Sequence, residues 1–220
     1  MGAATTPSGT LSAELRHATY EVHEQAHRSP YMAALLDGVL PLDAYTLLAE
    51  QYSAIYTALE AASDALADHP VAGPFVIDEL RRLPALHEDL DALGSGVPRI
   101  LPATARYVER LRTTATAPER FVAHHYIRYL GDLAGGQVVG KLLTRTYGLS
   151  GGGGVRFYDF SALGAPPRFR ARYRELLDAA PWDTAARSRV VAEAVLGFEL
   201  NIAVLSEMAQ EVGLEQPLAS

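Results

Sequence analysis

The sequence RYLGDLAGGQVVG spans residues 128–140 and places four glycines inside a stretch that is otherwise typical of a helix. Helix-favouring residues lie on both sides of the glycines, at 118–130 and 138–147. A glycine in a helix interior costs about 1 kcal/mol relative to alanine, so the four together cost about 4 kcal/mol. Because a whole domain is stable by only about 5–15 kcal/mol, this cost indicates that the missing side chains serve a purpose.

These glycines have two interpretations at this stage. Gly131 and Gly135 lie four residues apart and share one face of a helix, and Gly136 and Gly140 share the next face. Either a second helix packs closely against them, or a flat ligand lies on the bare backbone. In both cases the weakened helix also permits a kink.

The carboxylate of Asp132 favours the ligand interpretation. It stands in an apolar and glycine-rich run, where an unpaired charge is costly. Arg128 lies one helical turn earlier and is the nearest possible partner for this charge. A plain surface ion pair between the two residues is the alternative.

The rest of the sequence predicts an all-α fold. Apolar residues recur at helical spacing, and no segment alternates apolar and polar residues as a half-buried strand would. Residues 1–10 are small and polar and are predicted to be disordered, which leaves residues 11–215 as a single domain. Besides the 118–147 segment, the predicted helices are 11–26, 42–67, 76–93, 102–115, 167–179 and 184–212.

Composition excludes several classes of protein. Of the 220 residues, 49% are hydrophobic and 20% charged, as in ordinary globular domains. No apolar run approaches the roughly 20 residues that span a bilayer, so a soluble cytoplasmic protein is expected. Cysteine is absent, which excludes disulfides and thiolate metal sites. The net charge of −7 argues against a nucleic-acid-binding protein.

The sequence HEQAH at residues 23–27 matches the H-E-x-x-H motif of zinc peptidases. That motif places two imidazoles on one face of a helix with a glutamate as general base. However, Ser29 and Pro30 end the predicted helix almost at once, and no later segment stands out as a source of a third ligand. In the other interpretation His23 alone points into a pocket and binds a metal, as an axial haem ligand does. Alternatively, His23 is an ordinary polar residue at the edge of the core, with no ligand.

Four arginines, Arg168, Arg170, Arg172 and Arg174, lie within seven residues. On a helix Arg170 and Arg174 share one face, and the other two share the next. Guanidinium groups bind carboxylates through paired hydrogen bonds, so this cluster could clamp an acidic ligand or dock an acidic partner protein. A solvated basic face is the third possibility.

The sequence YIRYLGDLAGGQ at 126–137 resembles the signature of the haem oxygenase family. The resemblance extends over most of the chain and includes Leu15, Arg16, Thr19, residues 21–23, residues 55–60, Phe169, Arg170, Tyr173, Arg174 and residues 198–201. It implies a single-domain helical fold in which haem b lies between the first helix and the glycine-kinked helix. It also implies oxidative cleavage of haem to biliverdin, carbon monoxide and ferrous iron, through an iron hydroperoxide that attacks a meso carbon.

Several residue roles come from this resemblance alone. His23 matches the iron ligand, Gly131 and Gly135 match glycines against the distal haem face, and Asp132 matches the carboxylate that holds distal water. The other matches are Arg128, Tyr126 and Asn201 in the polar network, Arg16, Arg170, Tyr173 and Arg174 at the haem propionates, and Phe198 in the pocket wall.

The resemblance further implies dioxygen as a reactant and electrons from a ferredoxin or an NAD(P)H-dependent reductase. A monomer is expected. Two positions depart from the family pattern, because His27 stands where many relatives carry an acidic residue and Ala134 replaces a common serine. A non-catalytic haem carrier on the same fold is the main alternative function, and a zinc hydrolase is a further one.

Overall fold

The computed structural model describes residues 9–214 and shows an all-helical architecture in that part of the chain. Its α-helices are α1 (Leu11–Ala18), α2 (Tyr20–His27), α3 (Pro30–Leu36), α4 (Leu42–Ala65), α5 (Leu83–Ala92), α6 (Pro102–Arg112), α7 (Pro118–His125), α8 (Gly131–Tyr147), α9 (Pro166–Ala179) and α10 (Thr184–Glu211). Within these residues no strand occurs, and no helix is both long and apolar enough to cross a membrane.

The first predicted helix is divided in two at Thr19. The Thr19 hydroxyl donates a hydrogen bond to the Leu15 carbonyl at 2.7 Å, and this kind of back-bonding often bends helices. Ser29 and Pro30 end α2 as expected, but they also begin α3, which the sequence analysis did not predict. The Ser29 hydroxyl accepts from the Met32 amide as an N-cap, and Pro30 suits the first helical position.

Most of the predicted N-terminal segment 1–10 lies outside the described residues. Its last two residues, Gly9 and Thr10, take part in the fold. The Thr10 side chain accepts a hydrogen bond from the Ala13 amide and caps α1. The Gly9 carbonyl accepts a hydrogen bond from Arg187 of α10 at 2.6 Å.

Helix α10 is the element around which the site is organised. It packs against α1, α2 and α3 on one side and against α6 and α7 on another, while α4 packs against α5, α6 and α7. The predicted helix at 118–147 is continuous but contains a π-turn at Tyr126–Leu130, between α7 and α8. This π-turn, and not a break at the glycines, is the irregularity of the segment, and such turns often occur at functional sites.

Candidate active site

A cavity of about 500 Å³ lies between α2, α3, α4, α8 and α10. This volume is within the usual range for a small-molecule or cofactor site, and most of the lining is apolar. Residues from distant parts of the sequence meet here because α10 holds α2 and α7 together. Seven of the predicted site residues line the cavity: His23, Arg128, Gly131, Asp132, Gly135, Phe198 and Asn201.

The four glycines divide into two pairs with different surroundings. A Cβ atom built on Gly131 or Gly135 would meet nothing within 4 Å, and both residues line the cavity. A Cβ atom on Gly136 or Gly140 would instead lie 3.2 Å or 2.9 Å from the Tyr158 side chain. Close packing therefore explains Gly136 and Gly140, with the Tyr158 side chain in place of the expected helix, while the open space beside Gly131 and Gly135 leaves room for a ligand.

Arg128 and Asp132 form a buried ion pair on the cavity wall. Arg128 Nη2 lies 3.7 Å from Asp132 Oδ2, and Arg128 Nη1 donates to Asn201 Oδ1 at 3.0 Å. The Tyr56 hydroxyl donates a hydrogen bond to Asp132 Oδ2. The alternative of an exposed surface ion pair is wrong, since the side chains are only 6% and 15% exposed.

Burial and charge set the protonation of this group. Burial raises the pKa of Asp132, although Arg128 and the Tyr56 hydrogen bond act in the opposite direction. Burial lowers the pKa of Arg128, but the Asp132 charge and the nearby tyrosines outweigh that effect and hold it above its ordinary value. Burial and the Asp132 charge both raise the pKa of Tyr56. Arg128 therefore remains a cation and Tyr56 a neutral donor, while Asp132 can bind a proton more readily than an exposed carboxylate.

Tyr52 and Tyr56 of α4 belong to the site, although neither was predicted to have a role in it. The Arg128 guanidinium carbon lies 4.5 Å from the ring centroid of Tyr52 and 5.2 Å from that of Tyr56. Tyr52 also lines the cavity. Their four-residue spacing places both rings on one helix face. Buried apolar residues of any core helix have the same spacing, so the sequence does not distinguish these two tyrosines from ordinary core residues.

His23 reaches the cavity from α2, with a side chain that is 57% exposed. Its ring contacts Phe198 edge-on at a centroid distance of 5.8 Å, and its Nδ1 atom lies 3.6 Å from Glu24 Oε1. His27 lines the same cavity. Among residues 9–214, no three His, Asp or Glu side chains are grouped in a way that could hold a metal ion, so the zinc-peptidase interpretation of HEQAH lacks its third ligand.

A basic region lies beside Tyr126 of the π-turn. Burial raises the pKa of the Tyr126 hydroxyl, and the nearby positive charges of Arg174 and Arg16 oppose this rise. Arg170 lies one turn before Arg174 on α9 and is half-buried. Among the described residues, no carboxylate lies within salt-bridge distance of Arg16, Arg170 or Arg174.

The position of Tyr173 contradicts its predicted contact with a haem propionate. Phe169, Tyr173 and Leu177 form the buried face of α9, which is a different face from that of Arg170 and Arg174. The Tyr173 side chain is 2% exposed, and its hydroxyl lies 2.6 Å from Nδ1 of the buried His125. Because this hydroxyl is bonded to His125 inside the core, it is not available to a ligand at the surface.

The chain is similar in sequence to one family of proteins over most of its length. Residues 9–207 match the protein family described as Heme oxygenase. Heme oxygenase 1 of Gallus gallus is 38% identical over 216 residues, which cover 95% of this chain and 73% of that protein. Heme oxygenase of Pyropia yezoensis is 35% identical, with 90% of this chain and 86% of that protein covered.

A solved structure has the same fold. The crystal structure of heme oxygenase-1 from Synechocystis, in complex with heme, superposes with a TM-score of 0.86 at 32% identity. The superposition covers 94% of this chain and 97% of that one. The family match spans most of the chain. The chain therefore belongs to the haem oxygenase family.

Proposed function

We propose that this chain degrades haem oxidatively in the cavity between α2 and α8, with the His23 imidazole as the iron ligand. The activity follows from membership of the family. The observation that carries the proposed site is the bare backbone of Gly131 and Gly135, which leaves one wall of the cavity open at the point where Asp132 stands.

The residues of the cavity fit haem in shape and in chemistry. Space beside Gly131 and Gly135 allows a flat group to lie against the helix, and the apolar lining suits a porphyrin face. Arg128 has two buried nitrogen atoms, Nε and Nη2, without a hydrogen-bond partner among residues 9–214. Such orphaned donors need a polar partner in the cavity, such as water or bound oxygen.

Bound haem would be both cofactor and substrate: its iron would bind dioxygen, one carbon of its porphyrin ring would leave as carbon monoxide, and the opened ring and the iron would be released as biliverdin and ferrous iron, with electrons from the donor protein. Asp132 is placed to take up and release a proton in the cavity, because burial raises the pKa of its carboxyl group and the Tyr56 hydroxyl holds that group in position through a hydrogen bond. Arg128 keeps that carboxyl group in place and orders water beside it. Gly131 and Gly135 allow the helix backbone to approach the ligand closely.

We assign the haem propionates to the basic region of Arg16, Tyr126, Arg170 and Arg174. Guanidinium groups form paired hydrogen bonds to carboxylates, and three arginines there lack a carboxylate partner among the described residues. The seating of the propionates against these arginines would decide which meso carbon is opened.

We propose that Arg168 and Arg172 dock the electron donor, an acidic ferredoxin or an NAD(P)H-dependent reductase. Both are exposed on α9, next to the basic region, in a chain whose net charge is −7. The double variant Arg168→Glu/Arg172→Glu is expected to slow reductase-driven turnover at low salt but not ascorbate-driven turnover. Arg106→Glu, an exposed charge reversal on α6, is the control. Equal slowing with ascorbate would contradict a docking role.

The deciding experiment is an absorption time course on haemin-loaded protein in air after addition of ascorbate. Loss of the Soret band with growth of a broad red biliverdin absorption is expected. A stable spectrum of reduced or oxygenated haem would favour a haem carrier, and failure to bind haemin would overturn the cavity assignment. The monomeric state and the cytoplasmic location stay predictions, of which size-exclusion chromatography would test the first.

Two variants test the iron ligand. His23→Ala is expected to lose the iron–histidine resonance Raman band of the ferrous complex, and His27→Ala, one turn later on the same cavity wall, is expected to keep it. The reverse pattern would assign the iron to His27.

A further inference from the structure

The buried guanidinium group of Arg128 has few directional contacts. One hydrogen bond, from Nη1 to Asn201 Oδ1 at 3.0 Å, holds it, and the 3.7 Å separation from Asp132 Oδ2 is too long for a second. Its Nε and Nη2 atoms have no hydrogen-bond partner in the part of the chain that the structure describes. Because the arginine side chain has several rotatable bonds, the guanidinium group could turn away from Asp132 unless another contact restrained it.

The aromatic rings of α4 supply that contact. Tyr52 lies closest, with its ring centroid 4.5 Å from the guanidinium carbon, and Tyr56 follows at 5.2 Å. Both distances are within the range of a cation–π interaction, which strengthens when water is excluded. Tyr56 also binds Asp132 through its hydroxyl, whereas Tyr52 presents its ring to the Arg128 guanidinium.

The Tyr52 ring is itself held in place from another direction. The Phe157 ring lies against it at a centroid distance of 5.3 Å and an interplanar angle of 46°. Phe157 is buried, so the two aromatic rings form a rigid support beneath Arg128. An aliphatic residue at position 52 would fill space but would offer no ring face to the cation.

We propose that Tyr52 is a positioning residue for haem oxidation, and that its ring face holds the Arg128 guanidinium beside Asp132. This inference rests on the role proposed above for Arg128 and Asp132. Tyr52 is not assigned a contact with the reacting atoms. Its effect passes through Arg128, so removing the ring should disturb turnover without weakening the attachment of haem.

The first test measures the position of Arg128 directly, in haem-free protein, by the ¹H–¹⁵N NMR signal of its Nε–H group. Arg128→Lys identifies the signal by its loss. The signal is expected to be displaced by the ring currents of Tyr52 and Tyr56, to stay displaced in Tyr52→Phe, and to move towards the normal arginine position in Tyr52→Leu. Tyr52→Met is a second ring-free variant if Tyr52→Leu does not fold, which thermal unfolding would reveal. An unchanged signal in a folded ring-free variant overturns the proposal.

The second test compares turnover in a double-mutant cycle. Tyr52→Leu is expected to lower the initial rate of biliverdin formation by about tenfold, while Tyr52→Phe restores most of it and the Kd for haemin changes by less than about twofold in both. In the Arg128→Ala background, Tyr52→Leu should not lower the rate of biliverdin formation any further. If the two substitutions lower the rate independently, so that their effects multiply in the double variant, the proposal is overturned.

The two tests separate failure of this inference from failure of the proposed function. If Arg128→Ala alone retains the full rate, Arg128 has no part in turnover, and the role of Tyr52 in the reaction falls with it. The NMR signal would still report whether Tyr52 holds Arg128. If Arg128→Ala is slow and Tyr52→Leu is fully active, only the inference about Tyr52 is wrong.

Discussion

At the scale of single residues, the two glycine pairs of α8 have opposite reasons for lacking a side chain. Gly131 and Gly135 leave room in the cavity, whereas Gly136 and Gly140 allow Tyr158 to pack against the helix. One helix therefore carries a cavity-facing pair and a packing pair, and a methyl group added to each pair should have opposite effects on stability.

We expect Gly135→Ala to stabilise the haem-free protein by up to about 1 kcal/mol, because alanine favours a helix over glycine and the added methyl group meets open space. The same methyl group should weaken haemin binding. Gly140→Ala should lower the free energy of unfolding by about 1–3 kcal/mol, because its Cβ would lie 2.9 Å from Tyr158 Cβ. Urea unfolding and haemin titration check both variants. Tight haemin binding and normal turnover in Gly135→Ala would contradict the site.

Asp132 carries the second prediction at this scale. Asp132→Asn keeps the shape of the side chain but removes its ability to take up and release a proton, so biliverdin formation should fall by about 10²-fold. Haemin binding should stay within about threefold, since no binding contact is assigned to this residue. Glu199→Gln, which changes an exposed carboxylate on α10, is the control. Biliverdin yields equal to wild type in a single-turnover assay would exclude Asp132 as the proton source.

At the scale of elements, the position of the π-turn depends on a close contact between α7 and α10. Gly197 of α10 faces His124 of α7 and Ile127 of the π-turn, so that this glycine allows the two segments to approach. Arg128 follows Ile127 directly, and Asn201, which binds it, lies one turn after Gly197. The same helix contact thus brings both partners of that hydrogen bond to the cavity.

We expect Gly197→Ala to lower the free energy of unfolding by about 2–3 kcal/mol. Its Cβ would overlap Ile127 Cδ1 and lie 3.0 Å from His124 Nδ1, both on side chains that are buried and have little room to move. Urea unfolding measures the loss, with Gly135→Ala as a control that adds a methyl group to a helix facing open space. A stability equal to wild type would show that α10 can shift without cost.

At the scale of the whole molecule, one buried carboxylate links three helices behind the cavity. Glu193 of α10 accepts hydrogen bonds from Arg110 of α6, with Nε at 2.7 Å from Oε1, and lies 2.9 Å from Nε2 of His124 on α7. Burial alone raises the pKa of Glu193, but the contacts with His124 and Arg110 outweigh it and bring the pKa to about 2.

This pKa predicts how stability depends on pH. Because the pKa of Glu193 is below its ordinary 4.5 in the folded protein, its contribution is complete above that value and is lost as the pH falls from 4.5 towards 2. Glu193→Gln should therefore be less stable than wild type by about 3 kcal/mol at pH 7, and the difference should shrink across that window. Urea unfolding of the haem-free proteins from pH 7 to pH 3 measures it. A difference that does not change with pH would contradict the assignment.

The amino-acid sequence by itself predicted most of the helices and singled out the glycines and the carboxylate of α8. Helical periodicity is a local property, so most predicted helices correspond to observed ones, although α3 was not predicted and α5 begins at Leu83 and not at residue 76. The cost of four glycines beside a carboxylate is also a local property and needs no tertiary information. The family resemblance added His23, Phe198 and Asn201, and all three line the cavity.

Only the tertiary structure decided which of these side chains meet. Tyr52 and Tyr56 contact Arg128 and Asp132, which lie about 75 positions away in the sequence. Tyr173 lies on the inward face of α9 and bonds to His125 in the core. Tyr158 packs against Gly136 and Gly140 but not against Gly131 and Gly135. Residue spacing along one helix determines which side chains share a face. It does not determine which neighbour covers that face, because that depends on how the helices pack.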